Sequence, residues 1–352
     1  MVSTPHVQPM MDQRASNRPS APPMPPPSGN LDTTVIEAAS DHADGGHGLC
    51  LSIVVISYKI PRELPRTLFS LSGAYQRGVS SQDYEVILVD NGSPVPPDPA
   101  DYAGLDLQLR LLNCPNPQTT PVFAINLGLA AARGAHIALM IDGARLASPG
   151  LLRSALEALR LSPRAVVGSR GRYLGPGHQS FTMRYGYGQR LEDWLLKRSH
   201  WQADGYRLFR MSVFDESSGV SWFDQITESN ALFMARPLWQ ELRGCDEEFR
   251  LKGGGLVNLD LWIRACALPE ACPILLLGEA TFHQFHGGTA TNNRDQHNYW
   301  LAAAGEYQRI RGIPWIRPRL PLKFWGQFQH QPPRRELSGG RWRRRLGRVV
   351  GA

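Results

Sequence analysis

Long apolar runs, paired cysteines and internal repeats are all missing from this 352-residue chain. No stretch approaches the ~20 apolar residues that a membrane span requires, and Ile274 to Leu277 has only the length of a buried strand. The five cysteines (Cys50, Cys114, Cys245, Cys266 and Cys272) are scattered, odd in number and form no C-x-x-C pair. That spacing argues against a disulfide framework or a zinc site, so buried structural thiols in a reducing compartment are expected. The N-terminus has no basic region followed by an apolar run, so no secretory signal is read and a cytoplasmic location is expected. Charges of the two signs nearly cancel over most of the chain. The formal +7 is concentrated near the end, where seven arginines (Arg334, Arg335, Arg341, Arg343, Arg344, Arg345 and Arg348) face only Glu336. The remainder is close to neutral, which excludes a protein that coats nucleic acid.

A 42% hydrophobic content does support a sizeable core. Residues 1–48 hold a proline cluster (Pro19, Pro22, Pro23, Pro25, Pro26, Pro27) and few large apolar side chains, so disorder is expected there. Residues 49–330 read as one α/β domain, with halves at 49–147 and 148–330, and residues 331–352 as a basic tail. Leu51 to Tyr58 and Tyr84 to Asp90 are apolar without alternation, as in strands covered on both faces. Leu107 to Leu112 and His136 to Asp142 read as further strands. Helices are expected over Arg62 to Gly73, Phe123 to Arg133 and from Ser148-Pro149 onward, with Ser148 as a side-chain cap. Alternating strands and helices imply a Rossmann-like, doubly wound sheet. The second half is less regular. It shows helical patterns at Gln189 to Lys197, Pro237 to Arg243, Asn258 to Leu268 and Asp295 to Ile310, and strands at Asn230 to Met234 and Ile274 to Leu277. Arg170 to Phe223 has no clear assignment outside its helix.

Ligands of open α/β sheets bind outside the carboxyl ends of the strands, where the strand order reverses. Three such ends carry polar groups: Ser57-Tyr58, Asp90-Asn91-Gly92-Ser93 and Asp142-Gly143-Ala144. An aromatic face covers a base, a carboxylate accepts from base or ribose, and glycine admits a phosphate to the backbone. Singly, each aspartate reads as a turn cap; together, in this order, they read as a nucleotide pocket. The first strand is not followed by G-x-G-x-x-G, which disfavours a dehydrogenase, nor by the glycine-rich basic loop of a nucleotidyltransferase.

The succession SIVVISYK, EVILVDNGS and NLGLAAARGAHIALMIDGA resembles the nucleotide half of family 2 glycosyltransferases of the GT-A fold. LWQELRGCDEEF and GGGLVNLDLWIR resemble that family's later segments, so the likeness runs from about Leu51 to Gly288. It implies a mixed sheet flanked by helices and a nucleoside-diphosphate sugar as donor, UDP-linked for instance. Ser57, Tyr58, Asp90 and Asn91 would hold base and ribose, with Asn126 and Arg133 near the nucleotide and Asp142 near the diphosphate. Mg²⁺ or Mn²⁺ would offset the leaving charge. The acceptor would be a hydroxyl of a glycan, a lipid-linked saccharide or a small molecule.

Two positions depart from the family pattern. Ala144 replaces the second acid of Asp-x-Asp. Asn258 stands where the resemblance implies a general base, while Asp260 and Arg264 persist, and a carboxamide takes no proton at neutral pH. Glu228 is the substitute base read from position. His283 and His286, in TFHQFHGG, are candidate metal ligands with Asp142. Asn258-Leu259-Asp260 also resembles the Asn-Leu-Glu helix of retaining polypeptide N-acetylgalactosaminyltransferases, while the wider likeness favours inversion. The alternative is a catalytically silent nucleotide-sugar-binding or scaffold module. Trp194, Trp201, Tyr206 and Trp222 offer an acceptor platform, and the arginine tail a peripheral contact with anionic membrane.

Overall fold

The computed structural model describes residues 36–37, 49–289, 291–292 and 295–337. The strands are β1 (Ile36–Glu37), β2 (Leu51–Ser57), β3 (Tyr84–Asp90), β4 (Gln108–Asn113), β5 (His136–Met140), β6 (Arg145–Ala147), β7 (Ala165–Leu174), β8 (Ser212–Phe214), β9 (Leu232–Ala235), β10 (Cys272–His283) and β11 (Lys323–Gly326). The helices are α1 (Leu64–Ser70), α2 (Val122–Ala131), α3 (Leu151–Leu159), α4 (Gln179–Thr182), α5 (Gln189–Ser199), α6 (Arg236–Leu242), α7 (Val257–Cys266), α8 (Gln296–Arg311) and α9 (Arg334–Leu337).

The mixed α/β sheet runs β1-β4-β3-β2-β5-β9-β7-β10-β11, with β6 paired to β10 and β8 to β7. The chain enters at β2, steps outward through β3 and β4, then returns to β5 on the other side of β2. All three contacts are parallel, and the reversal at β2 makes its carboxyl end a crevice. Every residue of β2 and β3 is buried. Val54, Ile56, Ile87 and Val89 face one layer with α2, α6 and α7, while Ile53, Val55, Val86 and Leu88 face α1 and α3. A third, aromatic cluster gathers Trp201, Tyr206, Phe209, Trp222 and Phe282.

Several expectations need correction. Arg170 does not begin an irregular stretch: it lies in β7, whose ten residues are all buried. Polar residues hid this strand, because its two arginines satisfy their donors internally. Arg170 donates to the carbonyls of Ser218, Trp222 and Asp224, and Arg172 makes a two-pronged pair with Glu336 at 3.0 Å. Trp201, Tyr206 and Trp222 are core residues, so of the four aromatics only Trp194 is exposed. Ser148 does not cap α3; its hydroxyl donates to Glu279 and accepts from the Ala280 N–H. The thiols are free, but Cys50 is exposed. Within the stretch read as disordered, Ile36–Glu37 pairs antiparallel with β4; the rest of residues 1–48 lies outside the described residues. Glu336 is docked against the domain, its carbonyl accepting from the Trp222 N–H, whereas residues 338–352, with most of the tail arginines, are not described.

Glu279 stands at the register shift of β10 and accepts from Ser148, the Gly150 N–H and the Tyr206 hydroxyl. Burial pushes its carboxyl up to about 7. A folded-state value above the unfolded one favours the folded state fully below pH ~4.5 and loses that contribution as pH rises through ~7. Glu279→Gln is therefore expected to flatten the fall in thermal midpoint between pH 5 and 8, a slope worth roughly 1–3 kcal/mol. Identical slopes in both proteins would remove Glu279 as its source.

Candidate active site

Ser57 and Asp90 are register partners at the ends of β2 and β3, and the Gly143 N–H donates to the Ile56 carbonyl. A Cβ at Gly143 would strike that same carbonyl, so glycine lets the Asp142 loop close onto β2. Ser57, Tyr58, Asp90, Asn91 and Asp142 thus share one sheet edge.

The Asp90 carboxylate organises a turn. One oxygen accepts from the Gly92 and Ser93 N–H groups at 3.1 and 2.8 Å, the other from the Ser93 hydroxyl at 2.6 Å. Three of its roughly four acceptor positions are thereby used. The Ser93 hydroxyl also accepts from the N–H of Lys59, tying the two turns together. Tyr58 is 48% exposed, and the Lys59 ammonium lies over its ring, 5.0 Å from the centroid. Asn91 donates to the Gln118 carbonyl, and its own side-chain oxygen is buried without a hydrogen bond.

Two proposed nucleotide contacts do not reach this edge. Arg133 follows α2, and its N–H donates to the side chains of Ser52 and Glu85, near the starts of β2 and β3. A ten-residue helix is ~15 Å long and runs back against the strands, so its far end lies at the amino edge. Asn126 is likewise committed elsewhere: its amide accepts from the Cys245 N–H at 2.9 Å and donates to the Cys245 carbonyl at 3.0 Å.

Asp142, His283 and His286 do converge. Their candidate ligand atoms lie within 4.8 Å of one another. Asp142 Oδ2 is 3.2 Å from His283 Nε2 and 3.7 Å from His286 Nε2. The tautomer of His283 follows from its neighbour. Gln179 turns its amide nitrogen toward the carbonyls of Leu174 and His283, so its oxygen faces His283 Nδ1 at 2.8 Å. Nδ1 must carry the proton. Burial pulls His283 down to about 4 despite Asp142, so the ring is neutral at physiological pH. Its Nε2 lone pair then confronts a carboxylate with no proton between them. Burial opposes charge on both Asp142 and His286, but their mutual attraction outweighs it, holding Asp142 well below the usual range and raising His286. A lone pair, a carboxylate and a second imidazole, with the first ring oriented by an amide, are the donor set of a divalent-cation site.

On the other flank, the Asn258 amide donates to Glu228 at 2.8 Å. A carboxylate from the loop before β9 thus lies against the amide that α7 carries at position 258. Burial, then the charge of Asp215, pushes Glu228 up to about 6, a suitable value for a base near neutrality. Asp260 does not join this pair. It is buried beneath Arg264 and Arg311, with three contacts of 2.6 to 2.7 Å. Arg311 also holds Asp246, so Asp260 fixes α7 rather than facing a ligand.

The groups between the two flanks were not visible as a motif. Arg145 and His283 are partners across β6 and β10, and Tyr173 is the partner of His283 across β7. Arg145 lies 3.6 Å from Asp142 and 3.7 Å from Asp215. A Cβ at Gly171 would collide with the Asp215 carboxylate, so β7 can pass only as glycine there.

Residues 52–217 match the family model for glycosyl transferase family 2. That segment, slightly less than half of the chain, is similar to a family 2 glycosyltransferase domain. The match spans the nucleotide edge and Asp142, and ends before Glu228 and Asn258. Solved structures of similar shape include S. aureus TarS, at 15% identity and TM-score 0.45 over 74% of this chain and 40% of that one. Another is TarS 1–349 in complex with UDP-GlcNAc, at 15% identity and TM-score 0.46 over 74% and 67% of the two chains. This chain thus spans less than half the length of TarS. No curated protein matches it. Among the described residues, no helix is long and apolar enough to cross a membrane.

Proposed function

We propose that the protein transfers a sugar, with inversion, from a nucleoside diphosphate to an acceptor hydroxyl on a glycan, lipid-linked saccharide or small molecule. The observation that carries this reading is the neutral His283 lone pair facing Asp142 at the carboxyl edge of a domain similar to family 2. Asp142, His283 and His286 would hold Mg²⁺ or Mn²⁺, which when bound offsets the negative charge gathering on the departing diphosphate. Ser57, Tyr58 and Asn91 would receive base and ribose, with Asp90 shaping their turn. The acceptor oxygen attacks the anomeric carbon as the bond to the phosphate oxygen breaks. Its proton passes to Glu228, which Asn258 orients. A single displacement of this kind inverts the anomeric centre. Work on cytoplasmic sugar nucleotides, beside an anionic membrane surface that the arginine tail would touch, fits this chemistry.

Turnover of a panel of nucleotide sugars, beginning with UDP-sugars, tests the proposal with Mn²⁺ or with EDTA. Metal-stimulated transfer or donor hydrolysis is expected. Nucleotide binding without either reaction would favour the silent module.

A further inference from the structure

Arg145 differs from the other arginines buried around it. Arg170 and Arg172 spend their donors on carbonyls, Ser212 and Glu336. Arg145 is 5% exposed, yet its Nε and Nη1 have no hydrogen-bond partner. Its neighbouring acids are too distant to satisfy them: Asp142 Oδ2 is 3.6 Å from Nε and Asp215 Oδ2 is 3.7 Å from Nη1. The remaining oxygens of those acids are taken. Asp142 Oδ1 accepts from the Ala144 N–H at 3.0 Å, and Asp215 Oδ1 from the Ser217 hydroxyl and the Ser218 N–H at 2.7 and 3.0 Å. The two acids balance the charge of Arg145 without meeting its donors, and a buried donor left unmet disfavours the fold.

Position gives this arrangement a use. β6 sets Arg145 beside His283, and the charges of Arg145 and Asp215 both reach Glu228. The guanidinium is therefore 3.6 Å from Asp142 of the proposed cation site and within electrostatic reach of the proposed base. It also directly follows Ala144, so the strand presents a cation one residue beyond the point where the family resemblance has a second acid.

We propose that Arg145 pairs with the β-phosphate of a nucleoside diphosphate through Nε or Nη1, sharing with Asp142 and the histidines the charge released on bond cleavage. Either donor would make a charge-assisted hydrogen bond to a phosphate oxygen. The inference rests on the glycosyl-transfer reading and assigns one residue within it.

Calorimetric titration of the full chain with UDP and UMP in EDTA provides the test. Wild type is expected to bind UDP ~10-fold or more tighter than UMP, an amount set by one charge-assisted pair. Arg145→Met is expected to bring the two affinities together while leaving that for UMP unchanged. A UDP preference undiminished in Arg145→Met would overturn the assignment alone. A guanidinium reserved for a carboxylate on the donor sugar would give that same undiminished preference. Failure of wild type to bind either nucleotide, repeated with GDP and GMP, would overturn the nucleotide-sugar reading and this inference with it. Removing the cation leaves the buried Asp215 carboxylate without its counter-charge, so the thermal midpoint of the methionine variant is measured first. If it does not fold, Arg145→Lys replaces it: a shorter-reaching ammonium without the guanidinium donors should give an intermediate preference, and an unchanged one would refute the proposal.

Discussion

Replacing Asp142 with asparagine is expected to lower sugar transfer by ~100-fold or more, the scale of losing one preorganised charge at a reacting centre. The fold should tolerate the change. Asparagine keeps the oxygen that accepts from the Ala144 N–H, and its amide nitrogen can donate to the His283 lone pair that now faces a carboxylate. The substitution thus offers the His283 lone pair a proton and removes the carboxylate of the proposed cation site in a single step. Product formation and thermal midpoint should be measured together: a collapsed rate with a midpoint near wild type is the expected pair. Full activity would exclude Asp142 from the reaction.

Glu228→Gln is expected to reduce kcat by ~10²–10⁴-fold, the usual contribution of a positioned base, with little change in donor affinity. The pH profile separates this role from simple packing. A base must be deprotonated to act, so wild-type kcat/KM should fall tenfold per pH unit below about 6, the value to which burial and Asp215 push this carboxyl. That acid limb should vanish in the glutamine variant. Asn258 supplies a further control, because its amide touches the carboxylate at 2.8 Å. Combining Glu228→Gln with Asn258→Asp exchanges amide and carboxylate across one hydrogen bond, and part of the lost rate should return. Normal turnover in the single variant would end the candidacy of Glu228.

How much was legible from residues alone differs between the two halves. Runs such as SIVVIS and EVILV declare buried parallel strands, since only strands covered on both faces are apolar throughout. Their polar ends, Ser57, Asp90 and Asp142, accordingly fall on one edge. Arg133 was misplaced because the length of α2 carries its end back to the amino edge, a distance that motif spacing does not express. β7 escaped notice because buried arginines imitate a surface strand until their carbonyl partners are known. Asp260 resembled a site residue, but Arg311, 51 residues further along, neutralises it.

The order of apolar strands and helices, local in sequence, determined the sheet and the edge at which a ligand sits. Tertiary structure alone decided the chemistry there. It set the proton of His283 through Gln179, placed Glu228 against Asn258, and left Nε and Nη1 of Arg145 without hydrogen-bond acceptors. Charge, tautomer and basicity depend on groups that meet across 30 to 131 residues of chain. Those meetings exist only once the backbone has folded and excluded water from them.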